Sequence, residues 1–202
     1  MAGILENGEL ITRFVTPMSV SSNQPVFVSD TLSLKRQVVS HGVQRWEIKT
    51  NLEPSNKSAD LLIHSVVNGY QGVFDISMPQ VYIKGFKDTR TKLIRTTVSV
   101  ASGDNTFQTS GATTANQLIK GEFITFSNHQ KVYLVTNVVT ANNISTVTVF
   151  PNIIINVPTD NIIDYGSNVI LKARYDTDVI LGITYVDGIL SDMGTVTFIE
   201  AL

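Results

Sequence analysis

Three histidines, His41, His64 and His129, are the side chains of this 202-residue chain best suited to acid–base work or metal ligation. Their spacing supports neither. No two stand at metal-ligand spacing, and the sequence contains no HxH, HExxH or DxDxDG pattern. Ser40 precedes His41, but neighbours on a strand point to opposite faces, so the two cannot meet as nucleophile and base. GxSxG, GxGxxG and the P-loop pattern are also absent, and Gly182 and Gly188 read as bulge or turn glycines. A paired-carboxylate mechanism would have to draw on Asp160 and Asp164, or on Asp176, Asp178 and Asp187. These acids lie among Asn, Gly and Pro, where they read as turn formers and solvated strand ends. A calcium site in residues 159–166 or 175–179 is the competing reading.

Aromatic side chains invite a sugar- or base-stacking role for Phe123, Phe126 and Tyr133, but a scattered set of this kind reads as core. The most basic stretches are Lys35 with Arg36, and Lys84, Lys87, Arg90, Lys92 and Arg95. Lys plus Arg number 15 against 17 Asp plus Glu, a formal charge of 15 − 17 = −2, which opposes binding driven by phosphate neutralisation. A solvated face or a subunit contact is the expectation for those cations. With no cysteine, thiolate metal sites, disulfides and a Cys nucleophile are excluded. No catalytic residue, cofactor or metal is therefore expected, and the chain reads as a structural protein.

The elements that carry these residues are mostly strands. Apolar residues make up 43% of the chain and charged residues 16%, which suits a packed core with surface covered by partners. The start is acidic and lacks an apolar h-region, so no signal peptide is expected, and no run approaches the roughly 18 apolar residues of a membrane anchor. After a turn-forming cluster at residues 18–25, residues 33–40 and 43–52 read as a hairpin about His41-Gly42. In its second arm Trp46 and Ile48 face inward and Arg45, Glu47 and Lys49 outward. Apolar spacing through Leu62 and Val66 predicts one short helix over about residues 58–69, capped by Asn68-Gly69. Trp46, Ile48, Leu62 and Val66 are the core candidates.

From about Lys92 the chain becomes a series of Thr/Val/Ile strands separated by Asn/Gly turns, the signature of a small barrel or sandwich. The last stretch is β-rich but too short to stand alone, so it must complete a sheet begun near the N-terminus. The expected organisation is a sandwich domain from residues 1–88 and 172–202, with an inserted β-barrel module at 89–171.

This order of elements resembles the distal tail proteins of long-tailed bacteriophages, particularly the type found in T5-like phages. The residues that carry it are Gln44-Arg45-Trp46-Glu47-Ile48, the run at 121–137 (GEFITFSNHQKVYLVTN), TVTVFPNI at 146–153 and TVTFIEAL at 195–202. The resemblance implies a tail-tube-like β-sandwich and an inserted module like the small barrels that bind oligosaccharides and oligonucleotides. It further implies a hexameric ring in the virion that joins the tail tube protein to the baseplate hub or tail-tip protein, with DNA passing through the lumen without sequence-specific binding. The alternatives are a tail-tube, tube-terminator or baseplate hub protein, or a host-saccharide-binding β-module.

Overall fold

The computed structural model describes residues 2–6, 8–30, 36–40, 43–53, 72–80, 90, 93–110, 117–176, 184–186, 189–192 and 194–202. The helix expected over 58–69, with Leu62, Val66, His41 and His64, lies outside them. The described residues are mainly β, in two principal antiparallel sheets. Contact density divides the chain into two compact units: residues 4–74 with 173–201, and residues 75–172 with 1–3 and 202. The shift in composition had placed the divisions at 88/89 and 171/172. The first division instead falls inside a strand, where the change in packing leaves no mark on composition.

The first sheet is a closed barrel. Its strands are β1 (Gly3–Glu6), β2 (Glu9–Asn23), β5 (Arg45–Leu52), β6 (Phe74–Ser77), β13 (Ile170–Tyr175) and β16 (Thr195–Glu200). They run in the order β1-β2-β5-β16-β13-β6, closing back on β1. Where two layers of a sandwich were expected, one sheet curls until its edges meet, which leaves no barrel edge unpaired. The C-terminal strand β16 lies against β5, with Phe198 opposite Ile48 and Val196 opposite Thr50. Alternation does the sorting: Trp46, Ile48 and Leu52 are buried, while Arg45, Lys49 and Asn51 are exposed. An aromatic cluster fills this unit. The rings of Phe74 and Tyr175 meet edge-on at 4.8 Å, and Tyr175 stacks on Phe198 at 5.2 Å.

Two local readings of the sequence are corrected here. Strand β4 (Arg36–Ser40) does not pair with β5; it pairs with β3 (Val26–Asp30) in a separate two-stranded sheet. Both edges of strand β5 are already paired, one with β2 and the other with β16, so neither is open to β4. The cluster at residues 18–25, read as a turn, is strand as far as Asn23, with Ser19, Ser21 and Asn23 paired to Lys49, Glu47 and Arg45. Tertiary pairing overrides the weak strand preference of serine and asparagine. Pro17, which cannot donate to a ladder, sits where the register slips between Val15 and Ser19.

The second sheet lies within residues 94–165. It comprises β7 (Ile94–Arg95), β8 (Thr106–Ser110), β9 (Phe123–Phe126), β10 (Val132–Ala141), β11 (Ile144–Phe150) and β12 (Ile162–Tyr165), in the order β7-β12-β9-β10-β11-β8. Its two edges approach each other just beyond β7. Thr96 bridges to Thr109, and the Thr97 amide donates to the Gln108 carbonyl at 2.9 Å. The hairpin β10–β11 turns through Asn142 and Asn143, with φ of 52° and 61°. That left-handed pair is the geometry of a two-residue turn whose twist matches the strands, and Asn tolerates it. Phe107, Phe126 and Tyr133 build the centre of the core, with ring centroids 5.2 and 5.5 Å apart in edge-to-face contact. A last short hairpin joins β14 (Thr184–Val186) to β15 (Ile189–Asp192).

Candidate functional site

Among the described residues, no group of three or more His, Asp and Glu side chains is placed to hold a metal ion. His129, in the turn between β9 and β10, is instead built into a hydrogen-bond chain. Its Nδ1 lies 2.9 Å from Asn128 Oδ1 and its Nε2 lies 2.8 Å from the Tyr133 hydroxyl. That hydroxyl also accepts the Ile154 amide at 3.2 Å. One arrangement satisfies every atom: neutral histidine donates from Nδ1, Tyr133 donates to Nε2, and Ile154 donates to Tyr133. Burial lowers the His129 pKa from its ordinary value, which favours this neutral form.

The carboxylates are dispersed. Asp160 adopts φ 62° and pairs with Arg95 at 2.9 Å on the surface. Asp164 lies on β12, where desolvation raises its pKa. Asp178 and Asp187 lie outside the described residues. Phe123, Phe126 and Tyr133 are all at most 5% exposed, so they are core and offer no stacking platform.

Arg90 departs from expectation. Expected on a solvated face or at a subunit contact, its side chain is buried within its own chain: Nη1 donates to Glu122 Oε2 at 2.9 Å and to the Gln117 carbonyl at 3.1 Å, and Nη2 donates to Glu122 Oε1 at 2.6 Å. Its guanidinium carbon sits 4.2 Å from the centre of the Tyr165 ring. The one available signal in the sequence is Glu122 itself, an acid beside the apolar run Phe123–Phe126 and three residues after Ile119, whose amide it accepts at 2.8 Å.

A second feature escaped the sequence. Gln80 bridges two parts of its unit: Nε2 donates to the Gly166 carbonyl at 2.9 Å, and Oε1 accepts the Phe123 amide at 3.1 Å. Nearby, the Met78 amide donates to the Val169 carbonyl at 3.1 Å. The two stretches of chain that open and close residues 78–169 therefore run side by side.

A concave feature of this unit is an open cavity of ≈ 330 Å³ beside β8 and β11. Val98, Val100 and Phe107 give its apolar lining, and Ser99, Asp104, Thr106, Gln108 and Thr146 its polar lining. Sequence reasoning passed over it because it combines a turn, an irregular segment and two strands; only the alternating Thr106 and Gln108 hint at a polar outward face. With this geometry in place, comparison with known proteins adds no assignment: no family model matches the chain, and no curated protein does.

Proposed function

We propose that this chain is a structural subunit of a phage tail, a ring-forming adaptor of the distal-tail type between the tail tube and the tail-tip hub. The observation that carries the reading is the β3–β4 ribbon. It pairs only with itself among the described residues, and Val26 and Val28 are 44% and 43% exposed. A lone two-stranded ribbon is marginal in water, and bare strand edges invite pairing with another chain. Closed cyclic assembly is the arrangement in which every subunit covers such a ribbon for its neighbour. The order of elements also supports the reading: the first unit draws strands from both ends of the chain and a second β-unit spans residues 75–172, with a closed barrel standing where the resemblance implies a sandwich.

The experiment is light scattering and negative-stain imaging of the full chain, alone and mixed with tail-tube and hub proteins. Rings are expected, sixfold by the resemblance. The double variant Val26→Asp/Val28→Asp is expected to keep the barrel folded and lose the ring. A folded monomer at every concentration, with no ring beside those partners, would reject the reading.

A further inference from the structure

The cavity beside β8 and β11 has a chemical character that the ring does not require. Its polar side chains, Ser99, Asp104, Thr106, Gln108 and Thr146, make no hydrogen bond with any described residue. Elsewhere in the same unit several hydroxyls are occupied by the protein. Ser102 donates to the Ile154 carbonyl at 2.9 Å, Thr136 to the Thr148 carbonyl at 3.1 Å, and Thr140 to Gln117 Oε1 at 2.9 Å. Unused hydrogen-bonding capacity is thus gathered around this concave stretch of surface.

The cavity wall is also fixed before any ligand arrives. Thr97 is bonded to Gln108 at 2.9 Å, and Val100 exchanges two bonds with Val157, at 2.8 and 2.9 Å. Asp104 is pinned through its main chain to Ala101 and Ile153. Strand register sets Gln108 directly opposite Thr146. A pre-formed site avoids part of the ordering cost of binding.

The charge of the lining selects the ligand class. It holds one carboxylate, Asp104, and no Lys or Arg, so phosphate, sulfate and carboxylate ligands meet repulsion without compensation. The remaining groups are hydroxyls, one amide and an aliphatic wall with Val98 47% exposed. At ≈ 330 Å³ the space is at the low end of the about 300–1,000 Å³ of small-ligand sites.

We propose that this cavity is a subsite for a pyranose unit of a neutral glycan. Asp104 accepts hydrogen bonds from sugar hydroxyls, Gln108 both donates and accepts, Thr106 and Thr146 complete the set, and the C–H face of the sugar rests on Val98 and Val100. The proposal goes beyond the ring reading and stands or falls separately from it.

The test is a printed array of neutral, sialylated and sulfated oligosaccharides probed with the full-length protein, followed by calorimetric titration with the best neutral oligosaccharide. Capture of neutral glycans over their sialylated counterparts is expected. Asp104→Asn should weaken binding about tenfold, the scale of one hydrogen bond to a charged group. Thr146→Arg, at an exposed strand position, should abolish it by filling the cavity, with Gln108→Ala as a milder second variant. Each variant should melt with the parent protein, and Lys120→Ala, outside the cavity, should bind normally. Absence of any neutral glycan on the array, a preference for the anionic glycans, or full binding by a folded Thr146→Arg protein would overturn the proposal.

Discussion

Arg90 and Glu122 meet in a two-bonded pair, at 2.9 and 2.6 Å, with side chains only 4% and 2% exposed. Removing one partner of such a pair leaves a buried charge without compensation. Arg90→Ala should therefore cost about 3–5 kcal/mol of stability in urea unfolding. The double variant Arg90→Met/Glu122→Leu should recover most of that loss, because the desolvation penalty of both charges disappears with them. An Arg90→Ala loss below about 1 kcal/mol would mean that water reaches the pair.

Acid should weaken the unit that contains His129. Burial lowers its pKa from 6.5, so between that value and the lowered one the unfolded chain binds more protons than the folded one. Stability thus rises with pH through this window and is lost as the solution is acidified below 6.5. Melting curves across the window should show this slope, and His129→Gln should flatten it. A parent protein whose melting temperature does not change there would contradict the assignment.

Tyr133 serves both His129 and the Ile154 amide. Tyr133→Phe keeps the ring in the core and deletes only the hydroxyl, leaving that amide without its partner. A loss of about 1–3 kcal/mol is expected in denaturant titration. An unchanged midpoint would show that solvent replaces the hydroxyl.

Trp46 is 4% exposed on β5, and its amide donates to Glu200 Oε2 at 3.1 Å. Trp46→Ala should cost about 3–5 kcal/mol through the cavity it leaves. A loss under about 1 kcal/mol would place the indole at the surface and contradict the register of residues 45–52.

Deleting residues 195–202 removes the strand between β5 and β13. The barrel should open, ring assembly should be lost, and limited proteolysis should leave a resistant fragment near residues 75–172. Digestion of the whole chain at one rate would show that the two units unfold together.

What the sequence disclosed, and what it hid, follow from the range of the interactions. The β10–β11 hairpin was legible because Asn142-Asn143 encodes its turn locally. The inward face of β5 was legible because alternation is written in consecutive residues. Its partners were not, since pairing with β2 and β16 is decided by segments far away in sequence. Serine-rich β2 looked like a turn because its strand character comes from pairing. Arg90 could not be assigned to Glu122 from sequence, as 32 residues separate them and either charge alone looks solvated. The cavity at Asp104 is of the same kind, because its walls come together only after β8 and β11 have paired.

The bond between Met78 and Val169 makes the intervening chain a cassette. Its ends are already neighbours, so a shorter loop, or a different domain with adjacent termini, can be spliced there without stretching the strands that follow. Such an exchange would replace residues 79–168 and leave all six barrel strands in the chain.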